Sequence, residues 1–307
     1  MSMTRCGFVA VLGAPNAGKS TLVNALVGQK VSIVSQKVQT TRIPVRGIAM
    51  HGETQIVFVD TPGIFAPKRR LDRAMVKAAW GGAADADAIL VIADAPELSA
   101  RPTGLAAADT ERIIDGLKGA QKKAALVLNK IDAMKRDQLL PLAERLNKTG
   151  VFERVFMISA SKGNGLDALL DHCAKLMPQG PFLYPEDQAA DIPSRLLAAE
   201  ITREKLYLRL HDELPYASTV LTESWKELKD GSIRIDQTIF VERQGQKAIV
   251  IGKGGSAIKA IGEAARKEME ELFGRRVHLF LHTKVLEGWG EKAAHYREWG
   301  LEFPKDQ

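Results

Sequence analysis

Gly13-Ala14-Pro15-Asn16-Ala17-Gly18-Lys19-Ser20 decides how the first half of this chain folds. Its spacing, G-x-x-x-x-G-K-S, is that of a loop whose backbone N–H groups converge on phosphate. Phe8-Val9-Ala10-Val11-Leu12, just before it, is a continuous apolar run that suits a buried strand. Thr21 to Val27, just after it, carries apolar residues at helical spacing, with Gly28 as the stop. The loop therefore joins a strand to a helix N-terminus, whose positive end favours an anion. Lys19 is expected to reach the outer phosphates of a nucleotide as a point charge. Ser20 is expected to offer its hydroxyl to Mg²⁺. The candidate nucleotide contacts here run from Gly13 through Thr21.

At 307 residues the chain exceeds what one hydrophobic core usually supports, so two domains are expected. Its 45% hydrophobic and 26% charged residues exclude a fibrous or disordered class. No apolar run approaches the roughly 18 residues of a membrane span. Met1-Ser2-Met3-Thr4-Arg5-Cys6 has no apolar h-region, so no secretory signal is expected. Cys6 and Cys173 show no metal spacing and are expected as free thiols in a reducing cytosol. The net charge of +6 suits a polyanionic partner, but only its distribution decides.

Further nucleotide contacts follow in chain order. Residues 29–42 are polar, without a clean period, and read as a mobile loop ending in Thr40-Thr41-Arg42. A threonine here would ligate Mg²⁺ and sense the terminal phosphate. Two strands, near Val45–Met50 and Gln55–Val59, lead into Asp60-Thr61-Pro62-Gly63-Ile64. Asp60 at a strand end would hold the metal through water, and Gly63 leaves room for a backbone N–H to approach phosphate. Ala88 to Ala93 is a buried strand, and Ala124 to Leu128 is another that ends in Asn129-Lys130-Ile131-Asp132. A carboxylate at Asp132 would accept from the ring N–H and the amino group of guanine. Adenine offers no matching donor pair, so it would leave a polar group unpaired. Asn129 would tie this segment to the phosphate loop, and the Lys130 stem would lie over the base. Ser159-Ala160-Ser161 would meet the guanine carbonyl with backbone N–H groups. The strand–helix alternation implies an α/β fold with a mostly parallel sheet and the nucleotide at the strand C-termini.

This set of motifs resembles the translation-factor-related branch of small GTPases. In that resemblance Thr41, rather than Thr40, is the metal ligand, with Ser20 and Asp60. Ile64 stands where a glutamine would orient the attacking water. GTPases with an apolar residue there often recruit a monovalent cation. The resemblance makes Asn16 its candidate ligand, with K⁺ stabilising transition-state charge. The expected catalytic set is thus Asn16, Lys19, Thr41 and Gly63.

Four prolines between Pro178 and Pro193 forbid a continuous helix and mark an extended linker at 178–193. The first domain is expected at 1–177 and the second at 194–307. In the second, Ala248-Ile249-Val250-Ile251-Gly252-Lys253-Gly254-Gly255-Ser256-Ala257-Ile258 contains G-x-x-G between two helical stretches, with strands before and after. This matches a type II KH module, whose loop clamps single-stranded nucleic-acid backbone. Candidate RNA contacts are Ile251, Gly252, Lys253, Gly254, Gly255, Ile258 and Lys259. Residues 243–284 hold nine basic and four acidic side chains, a net of five positive charges. Trp289, Tyr296 and Trp299 in the tail are expected to pack rather than stack on bases.

The whole layout, with Thr40-Thr41-Arg42 and Glu213-Leu214-Pro215-Tyr216, resembles the Era family of bacterial ribosome-assembly GTPases. That resemblance implies hydrolysis of GTP to GDP and phosphate, with Mg²⁺. It implies binding to the 3′ region of 16S ribosomal RNA and a role in maturation of the small (30S) subunit, coupled to growth and division. It further implies a cytoplasmic monomer with peripheral association to the inner membrane. A tRNA-modification GTPase and a membrane-associated regulatory GTPase are the alternative classes. RNA and anionic vesicles in competition would separate the latter.

Overall fold

The computed structural model describes residues 4–35, 37, 39–210 and 214–304. Glu213 of the Glu213–Tyr216 segment, and Gln36 and Val38 of the polar loop, lie outside the described residues. The chain divides into two compact units. One comprises the described residues of Met1–Asp191 and of Leu301–Gln307; the other is Ile192–Gly300.

The first unit alternates strands and helices: β1 (Arg5–Gly13), α1 (Lys19–Val27), β2 (Val45–His51), β3 (Thr54–Asp60), α2 (Arg70–Ala84), β4 (Ala88–Asp94), α3 (Ala95–Ala100), α4 (Leu105–Gly119), β5 (Ala124–Asn129), α5 (Arg136–Asn147), β6 (Phe152–Met157), α6 (Leu166–Leu176) and β7 (Ala190–Asp191). The sheet order is β6-β5-β4-β1-β3-β2-β7. The five strands from β6 to β3 are parallel, whereas β2 runs antiparallel to β3 and to β7. Parallel strands are covered on both faces, which is why β1 and β4 read as unbroken apolar runs. Val9 and Val11 face a core with Leu22, Leu26 and Leu169 from α1 and α6. Ala10 and Leu12 face the opposite core, with Ala79, Ile113 and Leu142 from α2, α4 and α5. The C-terminal ends of the parallel strands share one sheet edge, and the motifs beginning at Gly13, Asp60, Asn129 and Ser159 each follow one of them, whereas Thr40-Thr41 lies between α1 and β2.

The expected linker does not stand apart. Residues 178–191 run against the first unit, where β7 pairs with β2. Gln55 on β3 holds this segment. Its buried carboxamide accepts from the N–H groups of Leu183 (2.9 Å) and Tyr184 (3.0 Å) and donates to the Tyr184 carbonyl (2.8 Å). The prolines prevent a helix but not an edge strand, so the first unit extends past residue 177. Residues 301–304 also belong to it: Glu302 pairs with Lys77, and the Arg70 guanidinium lies 4.7 Å over the Phe303 ring.

The second unit contains α7 (Ser194–Arg209), β8 (Ser218–Glu227), β9 (Ile233–Val241), α8 (Gln244–Ile251), α9 (Ser256–Phe273), β10 (Val277–Val285) and α10 (Ala293–Glu298). Its sheet is β10-β9-β8, with β9 parallel to β10 and antiparallel to β8. Helices α7 and α9 bury Ala198, Ile201, Leu206, Ile261, Ala265 and Met269 against Ile235, Ile239 and Val277. Trp289, Tyr296 and Trp299 are buried, and the Trp289 indole N–H donates to the Ala217 carbonyl at 3.1 Å.

Replacing Gln55 by Leu leaves two backbone N–H groups and a carbonyl without their partner. Chemical denaturation is expected to show a loss of about 2 kcal/mol, the scale of partly buried polar groups left unpaired.

Candidate nucleotide and RNA sites

The phosphate loop needs a tight backbone, and its neighbours leave room for nothing else. Gly18 has φ 98°, and a Cβ there would lie 2.3 Å from the Asn129 Nδ2. A Cβ at Gly63 would lie 2.9 Å from the Pro15 nitrogen, so the Asp60–Ile64 turn packs directly on the phosphate loop. The Ile64 N–H donates to the Gly13 carbonyl at 3.1 Å, which fixes the same approach. Lys19 is 6% exposed. Its ammonium donates to the Gly13 (3.1 Å) and Ala14 (2.9 Å) carbonyls, in place of the outward reach expected from the motif. A buried cation needs acceptors, and these are the nearest ones. Burial pushes its pKa down to about 8, against the pull of Asp60.

Around Asp60 the structure gathers three hydroxyls. Ser20 Oγ donates to Asp60 Oδ2 at 2.7 Å, and Ser32 Oγ donates to the same oxygen at 2.6 Å. Thr41 Oγ1 lies 2.8 Å from Ser20 Oγ and 3.4 Å from Asp60 Oδ2. Thr40 instead donates to the Lys37 carbonyl at 2.8 Å, so Thr41 is the threonine brought to the site. Burial raises the Asp60 pKa, while the hydroxyls and Lys19 pull it the other way. The other carboxylate oxygen, Oδ1, is buried and has no hydrogen-bond partner among the described residues. An orphaned buried carboxylate oxygen beside two hydroxyls is an all-oxygen donor set, which fits Mg²⁺.

The base-side loops are joined to this centre by one amide. Asn129, 2% exposed, donates to the Ala17 carbonyl at 2.9 Å and accepts from the Ala160 N–H at 3.0 Å. Lys130 has φ 64°, and its ammonium donates to the Asn16 carbonyl at 2.8 Å. The Ile131 N–H donates to the Ile158 carbonyl at 3.2 Å. Asp132 is exposed on a short 3-10 turn over Ile131–Ala133. Ser159 and Ala160 are buried, Ser161 is exposed, and the Ser159 N–H donates to the Asn164 carbonyl at 3.1 Å.

Two expected contacts turn elsewhere. The Thr61 hydroxyl donates to the Val11 carbonyl at 2.7 Å, and the Ile64 side chain is buried in the core with Leu12 and Ala79. Sequence reasoning missed Ser32 and Asn24. The Asn24 carboxamide on α1 accepts from the Val31 and Ser32 N–H groups and donates to the Ser32 carbonyl at 2.8 Å. It thereby aims Ser32 at Asp60. A polar residue on an otherwise amphipathic helix was the only signal.

In the second unit a short 3-10 turn over Lys253–Gly255 separates α8 from α9. Lys253, Gly254 and Lys259 are exposed; Ile251, Gly252, Gly255 and Ile258 are half-buried, and Ile258 packs on the core with Ile261. Among the described residues neither Lys253 nor Lys259 is ion-paired. Three others of the nine cations are: Arg266 with Glu270, Arg275 with Glu227 and Lys284 with Glu223. Lys253 and Lys259 thus leave positive charge without an acidic partner at the loop, among the described residues. Exposed apolar side chains in this unit include Ile249 on α8, 57% exposed, and Phe280 on the edge strand β10, 44% exposed.

Comparison with known proteins places this geometry. A family described as 50S ribosome-binding GTPase matches residues 8–130, and the KH domain family matches residues 213–290. GTPase Era of Maricaulis maris is 60% identical over 306 residues, spanning 97% of this chain and 98% of its own. GTPase Era of Caulobacter vibrioides (strain NA1000 / CB15N) is 59% identical over 309 residues, spanning 98% of each. A crystal structure of Era with MgGDPNP and nucleotides 1506–1542 of 16S ribosomal RNA matches with a TM-score of 0.90 at 39% identity, covering 97% of this chain and 99% of that one. An Aquifex aeolicus Era variant bound to GDP·AlF4⁻ matches with a TM-score of 0.89 at 39% identity, with the same coverage. With identity near 60% along almost the full length of both chains, this chain belongs to the Era family of GTPases.

Proposed function

We propose that this GTPase binds the 3′ region of 16S ribosomal RNA through the Gly252–Gly255 loop and assists maturation of the small (30S) ribosomal subunit, in step with growth and division. One observation carries the reading. The phosphate loop and the loops at Asn129 and Ala160, joined by the Asn129 amide at the ends of parallel strands, share a chain with a G-x-x-G turn whose Lys253 is not ion-paired among the described residues. A relative of the same two-part layout holds a 16S fragment.

In this reading the chain's own residues divide the work. The Gly13–Thr21 loop binds the phosphates with backbone N–H groups, and Lys19 supplies a buried positive charge. Ser20, Thr41 and Asp60 hold Mg²⁺, which neutralises charge on the phosphates when bound. Ser32 steadies the Asp60 carboxylate from the polar loop. Asn129 fixes the base-side loop, Asp132 accepts from guanine, and Ser159-Ala160-Ser161 closes over its carbonyl. Gly63 lets the Asp60–Ile64 turn approach the terminal phosphate, while buried Ile64 contributes no polar group to the attacking water. Asn16, exposed in the phosphate loop, would hold a monovalent cation, and K⁺ bound there would supply positive charge in place of the missing polar group. RNA binding and nucleotide state bias one another, because coupling between two sites is reciprocal.

Three measurements check these assignments. Gly254→Asp places a carboxylate in an exposed turn at φ 59°, with nothing within 4 Å of the new Cβ. Fluorescence anisotropy with an oligonucleotide of the 16S 3′ end should show binding weakened at least tenfold, since each phosphate contact carries a salt-sensitive share of affinity. Unchanged binding would remove the loop from the RNA site. Asp132→Asn presents a donor where guanine needs an acceptor. Turnover should fall at least tenfold with GTP and rise with xanthosine triphosphate, whose carbonyl replaces the amino group. Turnover at saturating GTP should be higher in K⁺ than in Na⁺ at equal ionic strength; equal rates would sink the role of Asn16.

A further inference from the structure

Lys130 does not stand alone over the phosphate loop. Its ammonium donates to the Asn16 carbonyl at 2.8 Å and to the Asp94 Oδ2 at 2.5 Å. Asp94 ends β4 and faces Asn129 across the β4–β5 ladder, one residue from Lys130. Its second oxygen, Oδ1, accepts from the Glu97 N–H at 3.1 Å and so caps α3. Both carboxylate oxygens are thus committed, and the side chain is only 16% exposed. The two residues it links through Lys130 are held in uncommon backbone conformations: φ is 63° at Asn16 and 64° at Lys130. Such positions cost free energy in a non-glycine residue and persist only where neighbours hold them. None of the recognised nucleotide motifs contains Asp94.

We infer that Asp94 is a positioning residue for guanine-nucleotide binding: its carboxylate holds the Lys130 ammonium on the Asn16 carbonyl, locking the base-side loop to the phosphate loop. The inference rests on the reading of Asn129–Asp132 as the base site. Physically, a lysine is a flexible stem with a point charge, and its three donors find water as readily as protein. A fixed anion on one side and a carbonyl on the other remove that freedom. The stem is then laid out in advance for the purine face, and the Asn16 peptide is held without the nucleotide having to order it. Preorganisation of this kind acts mainly on the rate at which ligand leaves.

The test separates charge from helix capping. Asp94→Asn keeps a good N-cap acceptor and removes the charge; Asp94→Glu keeps the charge and weakens the cap. Release of fluorescent (mant) GDP from the full chain is followed by stopped flow. Asp94→Asn should speed release roughly tenfold, the scale of one charge-assisted hydrogen bond. Asp94→Glu should recover most of that loss, and in a Lys130→Met background Asp94→Asn should add less than about twofold. Wild-type release from Asp94→Asn would overturn the inference. So would equal acceleration in both backgrounds, or a loss that follows the cap rather than the charge. If Lys130→Met releases at the wild-type rate while Asp132→Asn still exchanges guanine for xanthine, the base site stands and the Asp94 link falls. If Asp132→Asn also keeps its preference for guanine, the base-site reading fails with it.

Discussion

The carboxamide of Asn129 gives its N–H to the Ala17 carbonyl and takes one from Ala160, so three loops spread along the chain from residue 17 to residue 160 share one buried group. No backbone ladder joins those loops. Each leaves a different parallel strand, and each would splay into water without a cross-link. The amide is placed by β5, the glycine beside it at position 18 has no side chain to collide with it, and the Ile131–Ile158 hydrogen bond braces it from behind. The parallel sheet sets where the loops start. Asn129 sets where they meet.

A second constraint works on the opposite side of the phosphate loop. Asp60 has one oxygen crowded with hydroxyl donors and the other without a partner among the described residues. Such asymmetry is costly in a buried carboxylate unless the bare oxygen has a purpose. The crowding is arranged from α1, because Asn24 grips the backbone at Val31 and Ser32. The start of the long polar loop is therefore part of the first helix's packing, and near its other end the Thr41 hydroxyl reaches Asp60.

Much of this was legible in the sequence. The strand runs at 8–12 and 88–93 and the helix at 256–273 were visible because burial on two faces, or a clean amphipathic period, leaves a pattern in the residues themselves. The motif residues were visible because phosphate and guanine restrict which side chains serve. What stayed hidden depends on the third dimension. Gln55 reads as an ordinary strand residue, and only the fold shows it capturing the segment at Leu183–Tyr184. The prolines of 178–193 signalled an extended chain but not that it would join a sheet. Helix α3, six residues long, is too short for a period to show, although Asp94 and Pro96 carry its start signal. The basic count in 243–284 overstated the free charge, because the acids that neutralise Arg275 and Lys284 sit on β8, outside the span counted.

Lys19 carries a consequence for the heat of nucleotide binding. A buried ammonium with a pKa near 8 is already partly deprotonated in mildly alkaline solution. A polyphosphate beside it stabilises the charged form and raises that pKa. Binding therefore draws a proton from the buffer, and the same linkage makes affinity decline as the medium becomes more alkaline than the free lysine's pKa. Calorimetric enthalpies for this family member will depend on the ionisation heat of the buffer chosen, and two laboratories using Tris and phosphate at the same pH will obtain different values for one and the same complex.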